Sequence, residues 1–234
     1  MLAARTEAPT DPIAEARRVV ENWRRLHDGH GYFDNHARYQ DPLHDLGVAR
    51  VRDMLRPTEA DTVLEIGCGY GRLLYHLLPE VSGVVGIDLA PEPLTKAEEL
   101  LTTRKRDEQR VSLVLGDGIS LDALDDGCAS AAVAFTVFQH MPKVAVGRYL
   151  EDLRRILTPG GRVCFQVADD GTPEHYGRDI CADLPKEQAT RWSVAGICAV
   201  VEAAGLTVQR VDRECLEHTY PGRGMSWIWV LATV

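Results

Sequence analysis

From residue 61 onward, short apolar runs alternate with amphipathic stretches along the chain. The apolar runs at 62–66, 83–88, 111–116, 131–137 and 161–168 predict buried strands, and the stretches at 71–78, 92–106, 143–157 and 190–204 predict helices. Strands and helices in strict alternation imply a parallel sheet with right-handed crossovers. The last two apolar runs, 206–215 and 227–234, have no helical pattern between them and predict an antiparallel hairpin at the sheet edge. Upstream, Asp11-Pro12 reads as an N-cap followed by proline at the first helical position. Ile13, Ala16, Val20, Trp23 and His27 then share one face, which gives a helix over 12–27. Glycines at 29 and 31 break it, an aromatic-rich polar stretch follows, and a second helix over 43–55 leads into the first strand. Three segments result: a disordered N-terminus (1–10), a helical cap or lid (11–55) and an α/β sheet domain (56–234).

The first strand carries the strongest chemical signal. Val63-Leu64-Glu65-Ile66 runs into Gly67-Cys68-Gly69-Tyr70-Gly71-Arg72, with three glycines at alternate positions. Glycine serves where φ is positive or where a ligand lies against bare backbone. A dinucleotide site uses G-x-G-x-x-G to face a pyrophosphate. Here Arg72 occupies the place of the third dinucleotide glycine, and Glu65, which would repel a phosphate, stands two residues before the first one. That charge suits a cationic ligand. The second strand ends in Asp88, about 20 residues beyond the first glycine, where an acid accepts hydrogen bonds from a ribose diol. The third strand ends in Gly116-Asp117-Gly118, and the fourth continues through Phe135-Thr136-Val137-Phe138-Gln139-His140-Met141-Pro142. A Thr158-Pro159-Gly160-Gly161 turn precedes the fifth.

In this order and spacing the landmarks resemble the class I S-adenosylmethionine-dependent methyltransferases, over roughly residues 45–234. The resemblance implies a Rossmann-like seven-stranded, mostly parallel sheet with helices on both faces and an antiparallel last strand. It implies S-adenosyl-L-methionine as cofactor, held by Glu65, Gly67, Cys68, Gly69, Gly71, Asp88, Leu89, Asp117, Gly118 and Phe135, with Asp117 on the adenine amino group and Tyr39 closing from the lid. The N-terminal cap of such enzymes commonly selects the substrate, which singles out Tyr32 and His36 as acceptor contacts. Gln139, Asp169, His175 and Tyr176 lie where the family presents residues to the acceptor.

Composition narrows the acceptor. The net charge of −9 argues against general nucleic-acid affinity, which rests on phosphate neutralisation by lysine and arginine. No apolar run approaches the ~18 residues of a membrane span, and the first ten residues lack the apolar core of a signal peptide. The six cysteines form no C-x-x-C pair and read as reduced thiols of a cytoplasmic protein; no histidine cluster has metal-ligand spacing. The 22 arginines against 4 lysines match a GC-rich coding bias, for which secondary metabolism, including antibiotic biosynthesis, is the expected setting.

Methyl transfer from a sulfonium is an SN2 displacement that needs alignment of the nucleophile and, where the nucleophile is protonated, a base. His140 directly follows the fourth strand and is the expected base, with His175 a second candidate. The reading is therefore methylation of an O or N nucleophile on a small molecule. A methyltransferase acting on protein or RNA and a non-catalytic cofactor-binding protein are the competing readings. The sequence leaves the oligomeric state open, a homodimer included.

Overall fold

The computed structural model describes residues 11–27, 42–103, 110–171, 190–215 and 226–234. The chain begins with helices α1 (Pro12–His27) and α2 (Pro42–Leu55). It then alternates β1 (Thr62–Ile66), α3 (Arg72–Leu77), β2 (Gly83–Asp88), α4 (Pro91–Thr102), β3 (Arg110–Leu115), β4 (Ala129–Ala134), α5 (Lys143–Ile156) and β5 (Leu157–Asp169). A two-residue strand β6 (Arg191–Trp192), helix α6 (Val194–Ala203) and the hairpin β7 (Thr207–Cys215) and β8 (Ser226–Thr233) complete it. The sheet order is β3-β2-β1-β4-β5-β8-β7, with β6 beside the end of β5. Every pairing from β3 to β5 is parallel, and β8 runs antiparallel to both β5 and β7.

The expected α/β sheet with helices on both faces is the observed one, and the expected hairpin stands at its edge, with β8 inserted between β5 and β7. Local differences remain. β6 is an eighth strand inside the stretch expected as a helix over 190–204, which is helical only over Val194–Ala203. β5 starts at Leu157 rather than 161, so the stretch expected as a Thr158–Gly161 turn lies within the strand. The helix expected over 71–78 stops at Leu77, and Pro79 turns the continuation into a 3₁₀ turn over Leu78–Glu80. β4 ends at Ala134 rather than 137, because Thr136 adopts φ +59° and breaks the extended run.

Adjacent side chains on each strand point to opposite faces, so β1 feeds two cores. Leu64 and Ile66 join Phe138, Leu150, Leu153 and Phe165 under α5 and α6. Val63 joins Val48, Val51, Leu73, Leu74 and Leu77 under α2 and α3. The same alternation turns Glu65 into the second core.

The strand N-termini are tied together by Asp61. Its carboxylate accepts two hydrogen bonds from Arg162 of β5 (3.0 and 2.8 Å), one from the Ser130 hydroxyl of β4 (2.7 Å) and two from Thr58 (2.7 and 2.9 Å). Arg162 also donates to the Leu55 and Arg56 carbonyls at the end of α2, and Ser82 before β2 donates twice to the Asp61 carbonyl. Burial alone would push the Asp61 carboxyl up. The hydrogen bonds from Arg162, Ser130 and Thr58 outweigh it and hold the group well below the usual carboxylate range.

Removing the arginine leaves that carboxylate buried without its charge partner. Arg162→Met is expected to lower stability by about 3 kcal/mol in urea unfolding at neutral pH. The ionised Asp61 stabilises the fold fully above the unfolded carboxyl value of about 3.9, and this part drains away as pH falls toward the lower folded value. The difference between wild type and Arg162→Met is therefore expected to shrink on acidification below about pH 4, and a constant difference down to pH 2 would contradict this account.

Candidate functional site

The glycine turn is folded by its own backbone and by one carboxylate. Gly67 and Cys68 N–H both donate to the Ile87 carbonyl (2.8 and 3.1 Å), and Gly71 N–H donates to the Cys68 carbonyl (2.8 Å). Gly67 sits at φ +67° with no room for a side chain, since an added Cβ would lie 2.4 Å from Val137 Cγ2. Gly71, at φ +72°, starts α3 and lies against Ala97 of α4. Asp88 then clamps the turn. Its Oδ2 accepts from Gly69 N–H (2.8 Å) and its Oδ1 from Ala90 N–H (3.1 Å), so one side chain joins the turn to the entrance of α4. Burial raises the Asp88 carboxyl pKa, partly offset by the Gly69, Ala90 and Leu89 backbone N–H groups. Each oxygen keeps a lone pair for a further donor.

Cys68 contributes backbone only. Its thiol is buried against Gly86, and burial pushes it well above the ordinary thiol range, which makes it inert as a nucleophile. Glu65 is 4% exposed, and its Oε2 is buried without a hydrogen-bond partner. Burial pushes its carboxyl well up, against smaller opposing effects of the Leu74 backbone N–H and the Arg72 charge. An orphaned buried carboxylate oxygen beside a glycine turn fits a cationic group, as the ammonium end of S-adenosylmethionine would supply.

Asp117 and Gly118 follow β3. Gly116 N–H donates to the Asp88 carbonyl (2.8 Å), which places this loop beside the clamp. The exposed Asp117 carboxylate caps its own turn, accepting from the Ile119 and Ser120 N–H groups (2.8 Å each) and from the Ser120 hydroxyl (3.2 Å). Gly118, at φ +79°, packs against Leu89 and against Val20 of α1. Arg24 of α1 donates to the Leu89 carbonyl (3.3 Å). The glycine turn, Asp88, Leu89, Asp117 and Gly118 thus converge at the C-terminal ends of β1, β2 and β3, as open α/β sheets arrange a ligand site.

Phe135 stands apart from that group. Its ring stacks on Trp229 of β8 (centroids 5.9 Å, 18°) and presses on Gly47 of α2. Val137 packs on Gly67, while Thr136 between them is exposed. Residues 138–140 form a 3₁₀ turn that buries Phe138 against Phe165 and Tyr149. Gln139 is 1% exposed with its side-chain Oε1 unpartnered, and its carbonyl accepts from Thr190 N–H (2.7 Å), just before β6. The half-buried His140 ring lies 4.7 Å from Trp23 of α1, and desolvation lowers its pKa to about 4. Asp169 is the buried last residue of β5 rather than a loop residue. Its carboxylate accepts from Gly171 N–H (3.2 Å) and pairs with Arg213 of β7 (3.0 Å). Tyr32, His36, Tyr39, His175 and Tyr176 lie outside the described residues.

Sequence reasoning placed Val20 and Trp23 on the core face of α1 but missed that this face spans the site from Gly118 to His140. It also missed Gly47, for which the available signal was a glycine inside a helix. A Cβ at that position would lie 2.0 Å from Phe135 Cζ, with the ring backed by Trp229. Gly47→Ala is expected to lose about 1–2 kcal/mol despite the better helix former, with S-adenosylhomocysteine affinity within a few-fold of wild type. A raised melting temperature would show that the ring is not wedged there.

Comparisons with known proteins agree with this geometry. A family described as a methyltransferase domain matches residues 63–161. The nocamycin O-methyltransferase of Saccharothrix syringae is 33% identical over 177 residues, 74% of this chain and 54% of that protein. A ubiquinone biosynthesis O-methyltransferase of Dechloromonas aromatica is 28% identical over 151 residues, 63% of this chain and 61% of that protein. The chain spans 30–61% of the length of the first curated relatives it matches. The crystal structure of the 1,6-didemethyltoxoflavin-N1-methyltransferase of Burkholderia thailandensis, with 1,6-didemethyltoxoflavin and S-adenosylhomocysteine bound, has the same fold at TM-score 0.71 and 20% identity, covering 100% of this chain and 97% of that one. With the glycine turn, the clamping aspartate and the orphaned glutamate in one place, residues 63–161 carry a methyltransferase domain, on the fold of the class I S-adenosylmethionine-dependent methyltransferases.

Proposed function

We propose that this chain transfers a methyl group to an O or N nucleophile of a small molecule, as part of secondary metabolism, with His140 as the base. One observation carries the small-molecule reading: α1 lies across the strand ends, with Val20 against Gly118, Arg24 on the Leu89 carbonyl and Trp23 against His140. A helix in that position covers part of the strand ends, which supports a small acceptor. The acceptors named for two similar proteins, nocamycin and 1,6-didemethyltoxoflavin, are small molecules as well.

S-adenosylmethionine supplies an activated methyl on a neutral thioether leaving group. The chain's residues do the rest. Asp88 would accept the ribose hydroxyls with its remaining lone pairs, Glu65 would meet the ammonium, and Asp117 with Gly118 would frame the adenine. The glycine turn offers bare backbone. His140 accepts the proton of the nucleophile and is neutral at physiological pH, because burial holds its pKa near 4.

Glu65 makes cofactor binding pH-dependent. In the free protein burial raises its pKa and favours the protonated form, whereas a bound ammonium favours the ionised form. Affinity for S-adenosylhomocysteine is therefore expected to rise with pH above the ordinary carboxyl range, with proton release seen by calorimetry in buffers of different ionisation enthalpy. Glu65→Gln is expected to bind more weakly and without that slope; an equal slope in the variant would remove Glu65 from the ammonium.

The function itself is tested by following S-adenosylhomocysteine formation over a panel of phenols, carboxylic acids and amines, in parallel with bulk tRNA and a cell-protein extract. Turnover on a small acceptor is expected. Turnover only on tRNA or protein would replace this reading with the macromolecular one, and cofactor binding without turnover on any acceptor would favour a non-catalytic protein. With an active acceptor, His140→Ala is expected to lower kcat about 10²-fold or more with cofactor affinity intact. The wild-type rate should fall on the acid side near pH 4, not near 6.5, since only the neutral imidazole accepts a proton.

A further inference from the structure

The loop that follows β4 holds a backbone conformation that its sequence resists. Among the described residues, two non-glycine positions have positive φ. Arg56, at +47°, ends α2, where a left-handed residue is an ordinary cap, and its N–H donates to the Arg52 carbonyl (3.0 Å). Thr136, at +59°, caps no helix and is β-branched, which makes the left-handed region a genuine outlier. Such strain persists only where the surroundings over-determine it, and it gathers at functional sites.

The surroundings here are explicit. Phe135 is held between Gly47 and Trp229, and Val137 is held on Gly67 of the glycine turn. These two anchors fix the residue between them at the C-terminal end of β4, and Thr136 is the exposed one of the three. Its hydroxyl donates to the Phe135 carbonyl (2.7 Å), so the proton is committed and the oxygen presents lone pairs only. Three residues on, the buried Gln139 Oε1 is a second acceptor atom with no donor. One short loop next to the cofactor turn thus carries an exposed acceptor oxygen on Thr136 and a buried one without a donor on Gln139.

We propose that Thr136 selects the methyl acceptor: its hydroxyl oxygen receives a hydrogen bond from an O–H or N–H of the substrate, and the strained backbone holds it at the position where the acceptor enters. The inference rests on the methyltransferase reading of this site and names the class of acceptor, one that carries a donor besides the proton taken by His140, as a catechol, a diol or a primary amine does.

The test uses the full chain saturated with S-adenosylhomocysteine, whose own binding is measured first by calorimetry; no binding in wild type would overturn the cofactor reading and is a separate result. Catechol and 1,2-dimethoxybenzene, then aniline and N,N-dimethylaniline, are matched probes that differ in the donor, titrated by ligand-observed NMR. Wild type and Thr136→Ser are expected to hold the donor-bearing member about fivefold tighter or more, and Thr136→Ala to lose that preference while keeping cofactor affinity. An unchanged preference in Thr136→Ala, or no binding of either probe to wild type, overturns the assignment. The strain has its own readout. At an unstrained position glycine is less stable than alanine, so Thr136→Gly melting above Thr136→Ala is the expected inversion, and the ordinary order would show that the backbone stores nothing.

Discussion

The Asp88 clamp is the constraint on which the ligand end of this molecule depends. A parallel sheet leaves its strand C-termini as separate loop starts, and nothing in the sheet ladder fixes those loops against each other. Here one carboxylate takes N–H groups from the glycine turn after β1 and from the entrance of α4 after β2, while its own backbone carbonyl takes Gly116 N–H after β3. Three loops are thereby referred to one residue. Charged hydrogen bonds of this kind are stronger than neutral ones, and burial keeps water from competing for them.

The two ends of the sheet are built to opposite rules. At the strand N-termini the polar groups of Asp61 and Arg162 are spent on one another and on neighbouring carbonyls and hydroxyls, and the effect is rigidity. At the C-termini, acceptor atoms are left over. Glu65 Oε2 and Gln139 Oε1 are buried without donors, and Thr136 holds a backbone conformation that costs about 1–3 kcal/mol. Each unsatisfied buried group costs about as much again. The stable end can carry these penalties because the hub around Asp61 joins α2, β1, β2, β4 and β5 before the ligand loops begin.

Much of this was legible in the sequence, and for identifiable reasons. β1 and β2 fall where the apolar runs put them, because buried parallel strands are continuous hydrophobic stretches between turn residues. The glycine turn and Asp88 were legible because both need particular residue types at fixed spacing. What escaped was set by distant partners. The end of β4 depends on Phe135 meeting Gly47 and Trp229 from two remote elements, so a run that reads as strand to 137 stops at 134. Asp169 reads as a loop acid, but the pairing of β7 across β8 brings Arg213 to it, and it becomes a buried strand end. The position of α1 over the site is likewise a matter of packing, and its apolar face said only that it would be covered.

Charge is divided across the site in a way that suits a reaction which discharges a cation. Glu65 in β1, Asp88 at the end of β2 and Asp117 after β3 stand on one side of the site, while Asp169 at the end of β5 is paired with Arg213. The β4 loop on the other side offers Phe135, Thr136, Val137, Phe138, Gln139 and a histidine kept neutral by burial, with no ionised group among them. A carboxylate on that side would stabilise a sulfonium in the ground state and lose the interaction as the positive charge disappears, which raises the barrier. Under the proposed role of His140, a neutral base loses nothing in that step, because it acts on the proton of the nucleophile, whose acidity grows as the new bond forms. Its half-burial against Trp23 fits that proposal: a base with a low pKa is weak toward water but suffices for a proton that becomes strongly acidic along the reaction path.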